Sequence, residues 1–116
     1  SADTFAKGFL LEKDSIDYFY GHYLEHPSHR KDPLFSPLVE ANVAGVAPAW
    51  IGLAECDPLV DEGIAYAKRL DEEGVNVTHL HVADQIHACL TMGRFIPKSD
   101  LVLQHAAASL RAHWGI

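Results

Sequence analysis

Two residues, Asp57 and His87, have the types and the spacing to do chemistry together. Asp57 lies in "LAECDPLVDEGIAYAKRLDEEGV" (53–75) and His87 in "ADQIHACL" (83–90), thirty positions later. An aspartate that accepts a hydrogen bond from a histidine Nδ1–H fixes the ring's tautomer and stabilises the imidazolium. Nε2 is then free to take a proton from a hydroxyl nucleophile. Alone, each signal is ordinary: an Asp before a Pro at a helix start is commonly a cap, and a loop histidine is commonly polar surface. The pair gains weight because each follows a strand-like run.

The first of those runs is "APAWIGLAEC" (47–56), continuously apolar and bounded by Pro48 and by Asp57-Pro58. That is the pattern of a parallel strand buried on both faces. The helix expected after it carries Val60, Ile64, Ala67 and Leu70 on one side, and Gly74 stops it in the C′ position. "VNVTHLHV" (75–82) is a second strand, more polar and therefore nearer a sheet edge. Strand, helix and strand with so short a connection form a right-handed parallel crossover. Its two carboxyl-end loops lie side by side, where open α/β sheets bind ligands.

Upstream, Ile16, Phe19, Tyr20 and Tyr23 recur at helical spacing in "DSIDYFYGHYL" (14–24), with Asp14 or Ser15 as the N-cap and Pro27 ending the segment. "HPSHRKDPLFSP" (26–37), with three prolines, is loop. A last helix over about 99–114 aligns Leu103, Ala106, Ala107, Leu110 and Trp114. The expectation is an α/β fold with two strands and about three helices. The strand at 49–55 is too apolar for an exposed edge and calls for a neighbour on each side, yet the chain supplies only one. It is therefore expected to belong to the end of a larger sheet, or to an assembly that completes one. A chain folding alone is expected to self-associate through that edge.

At 116 residues this is one domain's worth of chain or less, and 48% apolar with 22% charged residues is an ordinary globular balance. A net charge of -7 argues against nucleic acid as a partner, because phosphate binding needs a basic face. No apolar run approaches the roughly 20 residues of a membrane span. The first fifteen residues lack the basic start and apolar core of a secretory signal. Cys56 and Cys89 make no disulfide framework, so a reducing cytoplasm is the expected compartment.

"PAWIGLAECDPLVDEGIAYAKRLDEEGVNV" followed by "QIHACL" resembles the C-terminal third of the hormone-sensitive-lipase branch of the α/β-hydrolase fold, a branch of carboxylesterases and lipases. Members show an apolar strand, then D-P-L-x-D-E-G, a helix, a G-V strand and H-G-F. "DPLFSPL" (32–38) resembles the family's D-P-x-x-S-P-L segment and "DYFYGHYL" the helix before it, so the likeness runs from about residue 8. The resemblance implies that Asp57 is the acid and His87 the base of a Ser-His-Asp triad acting on a small-molecule ester, with no cofactor and no metal. It implies that Asp61 supports the pair from behind or caps the helix. Val60, Ile86 and Cys89, beside the two loops, are the candidates for lining the substrate pocket.

Two departures stand out. Ala88 and Cys89 replace the usual Gly and Phe after the histidine, and Ala fits there wherever φ is negative. The nucleophile elbow G-x-S-x-G and the HGG oxyanion loop do not occur in these 116 residues. In the family both precede the acid and the base. Residues 1–116 are thus expected to be the C-terminal part of one catalytic domain, inactive alone, with the N-terminal part as its missing partner. The competing reading is a non-catalytic interaction or assembly module on a hydrolase-derived scaffold.

Other candidates are weaker. The serines at 1, 15, 28, 36, 99 and 109 sit on no Gly-flanked strand-to-helix turn, and Ser15 and Ser99 suit helix caps. Cys56 and Cys89 suit small buried positions more than reactive ones. His22, His26 and His29 would align on a helix if Pro27 did not interrupt it, and His79 and His81 share one strand face. Neither set is a convincing metal site.

Overall fold

A computed structural model describes residues 1–116. In chain order the elements are α1 (Lys13–Tyr23), β1 (Ala49–Cys56), α2 (Val60–Glu72), β2 (Val77–Ile86) and α3 (Lys98–Trp114). Short 3₁₀ helices cover Pro27–Lys31, Pro37–Val39 and Cys89–Thr91. The two strands pair in parallel, Ala49 opposite Val77 through Ala54 opposite Val82, with α2 as the crossover. The fold is α/β, with two strands and three long helices.

Alternation along β1 assigns its two faces. Ile51 and Leu53 point at α2, where Ile51 packs against a cluster of Val43, Leu70 and Val75. Trp50 points the other way, and its indole Nε1 donates to His105 Nδ1 of α3 at 2.9 Å. One helix therefore covers each face. Gly63 lets α2 lie close on β1, since a Cβ there would collide with Leu53 Cδ2. Gly74, at φ +81, turns the chain from α2 towards β2, as its C′ role requires.

An ionic staple fixes the loop before β1 onto α2. Arg69 donates to Glu73 Oε1 at 3.0 Å and to the Leu38 carbonyl at 2.7 Å, and Glu73 Oε2 accepts the Val43 N–H at 2.7 Å. The Val43 N–H, and then the Arg69 guanidinium, hold the Glu73 carboxyl below its usual range.

The core is small: eleven residues are buried, and in β1 only Leu53 is among them. β1 has β2 on one side and no strand on the other. The most apolar strand of the chain is thus left half-exposed along an unpaired edge.

Element boundaries differ in instructive places. α1 starts at Lys13 with Glu12 in the cap position, so neither Asp14 nor Ser15 is the cap. The Lys13 N–H is taken by the Ala6 carbonyl at 3.0 Å, which lets the helix begin earlier. Ser99 is also not a cap: Pro97 occupies that position and Ser99 is wholly buried inside the first turn. β2 runs to Ile86, four residues past the alternating apolar pattern.

Candidate active site

Asp57 follows β1 directly and is 9% exposed. Its two carboxylate oxygens have separate tasks. Oδ1 accepts the Leu59 N–H at 2.8 Å, closing the Asx turn that leads into α2. Oδ2 lies 2.8 Å from His87 Nδ1. Leu59, not Asp57, holds the cap position of α2, and the one Asp57 carboxylate serves both the turn before the helix and the histidine. Of the two neutral tautomers of the ring, the one with its proton on Nδ1 can donate to a carboxylate oxygen at this distance. His87 Nε2 makes no hydrogen bond within the chain, and the side chain is 38% exposed.

The other candidates are dispersed. Asp61 is exposed in the first turn of α2; its N–H donates to Ser1 Oγ at 3.3 Å and its carboxylate meets the Ser1 amine. It forms no hydrogen bond or ion pair with Asp57 or His87. Val60 and Cys89 line different cavities, both of which include Asp57. Val60 belongs to one of about 520 Å³ that also takes in Tyr20, Phe35, Leu38 and Glu62. Cys89 belongs to a smaller one of about 180 Å³, with His87, Ala88, Val82 and Val102. Ile86 lines neither. Cys56 and Cys89 are both free thiols. α1 ends at Tyr23, so His26 and His29 lie off the helix, with rings edge-on at 5.5 Å. His79 lines a cleft with Lys68 and Asp71 of α2.

Tyr20 and Phe35 were legible only as helix and loop residues, yet they form the far wall of the larger cavity, ring to ring at 5.0 Å. Burial, followed by the nearby Glu62 carboxylate, pushes the Tyr20 phenol above its ordinary range, so it stays protonated. No sequence signal ties Tyr20 to Asp57; they share the lining of one cavity, beside the 37–39 turn that packs on α2.

The backbone at Ala88 corrects the sequence reading. Its φ is +60, in the left-handed region, not the negative range in which Ala substitutes for Gly at no cost. The turn after the histidine needs that conformation, so the methyl is carried at the expense of strain.

Asp57 at the end of one strand and His87 at the end of the next are thus in contact, and Asp57 lines both cavities. A family model for the alpha/beta hydrolase fold matches residues 1–91. The chain belongs to that family. It is 37% identical over 113 residues to the ethyl acetate hydrolase of Pseudomonas putida, covering 97% of this chain and 36% of the relative. It is also 37% identical to the carboxylic ester hydrolase LipN of Mycobacterium tuberculosis, covering 97% of this chain and 30% of that one. An ester-hydrolase from the metagenome of Lake Arreo, solved with a bipyridine phosphonate derivative, superposes with a TM-score of 0.94 at 35% identity. That superposition covers 99% of this chain and 36% of the other. The alpha/beta hydrolase chain described here thus spans about a third of the length of these relatives, and its two strands and three helices match the C-terminal part of the fold. No helix is long and apolar enough to cross a membrane.

Proposed function

We propose that Asp57 and His87 are the acid and the base of a Ser-His-Asp triad in a carboxylic ester hydrolase. Residues 1–116 then form the C-terminal part of its catalytic domain. The observation that carries this reading is the 2.8 Å contact between Asp57 Oδ2 and His87 Nδ1 at the carboxyl ends of two adjacent parallel strands. Kinship with ester hydrolases supports the reaction class.

In this mechanism a serine hydroxyl from outside these 116 residues attacks the ester carbonyl, and His87 Nε2 takes its proton. The imidazolium is stabilised by Asp57 and then protonates the leaving alcohol as the C–O bond breaks. A water molecule, deprotonated by the same Nε2, releases the acid from the acyl-serine and restores the hydroxyl. Oxyanion stabilisation comes from backbone N–H groups that this chain does not supply. The chemistry calls on no metal and no cofactor, and the substrate is a small-molecule ester.

The test is an enzyme assembled from this chain and an upstream hydrolase segment carrying G-x-S-x-G, assayed on a p-nitrophenyl ester. His87→Ala is expected to lower kcat by roughly 10⁴-fold or more. Unchanged turnover would remove His87 from the chemistry. The chain by itself is expected to form no adduct with a fluorophosphonate, as read by intact mass.

A further inference from the structure

His87 stands just beyond a distortion in β2. Between the register pairs Ala54–Val82 and Cys56–Ile86, three residues of β2 (83–85) lie opposite the single residue Glu55. Extra residues in one strand break the ladder, re-aim the residues beyond them and leave backbone groups without strand partners. Ala83 and Asp84 are exposed, so apolar packing does not hold this bulge in place.

Polar side chains do. Glu55 Oε2 accepts the Asp84 N–H at 2.8 Å. Lys98 Nζ donates to the Ala83 carbonyl at 3.0 Å and lies 3.7 Å from the Asp84 carboxylate. Asp84 has a φ of +61, a region aspartate tolerates better than most residues. On the other side of His87, the hydroxyl of the wholly buried Ser99 donates to the Cys89 carbonyl. The first turn of α3 therefore grips both flanks of the histidine, through Lys98 at residue 83 and Ser99 at residue 89. Glu55, two residues before Asp57, grips residue 84.

We infer that Glu55, with Lys98 and Ser99 of α3, is a positioning clamp that sets the backbone of His87 so that Nδ1 meets Asp57. The inference rests on the proposed triad and adds its support. Asp57 holds the ring, and Glu55 holds the strand that carries the ring. The three clamp residues bond the backbone of residues 84, 83 and 89 and not the His87 ring. A hydrogen bond weakens steeply as its geometry opens, so relaxation of the bulge separates the pair without unfolding the chain.

The test reads the tautomer of His87 in the 116-residue chain from ring ¹⁵N shifts, well above the imidazole titration range. A solvated neutral imidazole favours the proton on Nε2, and the Asp57 contact holds it on Nδ1. Wild type is expected to show Nδ1–H, and Asp57→Asn to lose it. Glu55→Ala is expected to shift His87 substantially towards Nε2–H while His79, on the same strand, keeps its signals. Glu55→Gln, which retains an acceptor for Asp84, is expected to restore Nδ1–H; a residue that only adds stability would leave the tautomer of the folded chain unmoved. Full retention of Nδ1–H in Glu55→Ala overturns the clamp and leaves the Asp57–His87 pair standing. Nε2–H in the wild type overturns the pair itself. If Glu55→Ala loses its dispersed amide spectrum, Lys98→Met decides, and undiminished Nδ1–H there overturns the clamp.

Discussion

Replacing Ala88 with glycine is expected to stabilise the chain, although glycine ordinarily weakens a structured position. Ala88 sits at φ +60 directly after His87. For a residue bearing a Cβ, the left-handed region costs roughly 1–2 kcal/mol. Glycine removes that strain but gives the unfolded chain more freedom, returning about 0.5–1 kcal/mol. The Ala88 residue is exposed, so deleting its methyl forfeits little burial. The net gain is about 0.5–1 kcal/mol, a rise of about 2–5 °C in Tm for a domain of this size. The control is Ala65→Gly, the same atoms removed from an exposed position inside α2. There the change is expected to cost about 1 kcal/mol. Urea or thermal unfolding of both variants therefore compares one chemical change with two signs. If Ala88→Gly destabilises by as much as Ala65→Gly, the backbone after the histidine is not left-handed and the strain does not exist.

Further outcomes are expected from the core, the site, the staple and the open edge. Leu70, 1% exposed at the centre of the apolar cluster, is expected to cost about 2–5 kcal/mol as Leu70→Ala, measured as a lower urea midpoint; a cost under about 1 kcal/mol contradicts the core assignment. Asp57→Ala is expected to lose about 1–2 kcal/mol through the turn into α2, and Asp57→Asn, which still accepts from Leu59, to lose less; equal losses remove the role of that hydrogen bond in the turn. Glu73, whose folded carboxyl titrates below its unfolded value, contributes stability that is present above the ordinary carboxylate range. That contribution is lost as pH falls through the folded titration, so Glu73→Gln should flatten the acid limb of unfolding midpoint against pH. Sedimentation velocity of the folded chain is expected to show concentration-dependent association through the outer edge of β1, and a solely monomeric species at high concentration counts against it.

Legibility followed the range of the interactions that fix each feature. β1, α2 and the Gly74 stop were readable because apolar runs, helical periodicity and turn chemistry act within a few residues. The topology of the crossover followed from those elements, and it alone brings Asp57 and His87 to neighbouring loops. The left-handed Ala88, the three-residue bulge opposite Glu55 and the buried hydroxyl of Ser99 were not readable. Each depends on a partner on another element: Glu55 reaches across the ladder to Asp84, and α3 reaches back to residues 83 and 89. The cavity wall of Tyr20 and Phe35 was hidden for the same reason, since the cavity they share with Asp57 is assembled from α1, the 35–39 turn, β1 and α2.

The division has a physical consequence for how this half-site works. The residues expected to move protons lie where local rules place them, at strand ends in short loops. The residues that aim them lie on β1 and α3, and their hold depends on α3 staying docked. α3 has only Ser99 and Val102 buried, and its docking to the strands includes the exposed Trp50–His105 hydrogen bond. With both sheet edges unpaired and eleven residues buried, the isolated chain has little apolar burial with which to keep that helix in place. A strand seated against the free edge of β1 would stiffen the floor on which Glu55 and Asp57 both stand. Order at the histidine should therefore increase with the same association that completes the sheet, well before any serine is brought within reach of Nε2.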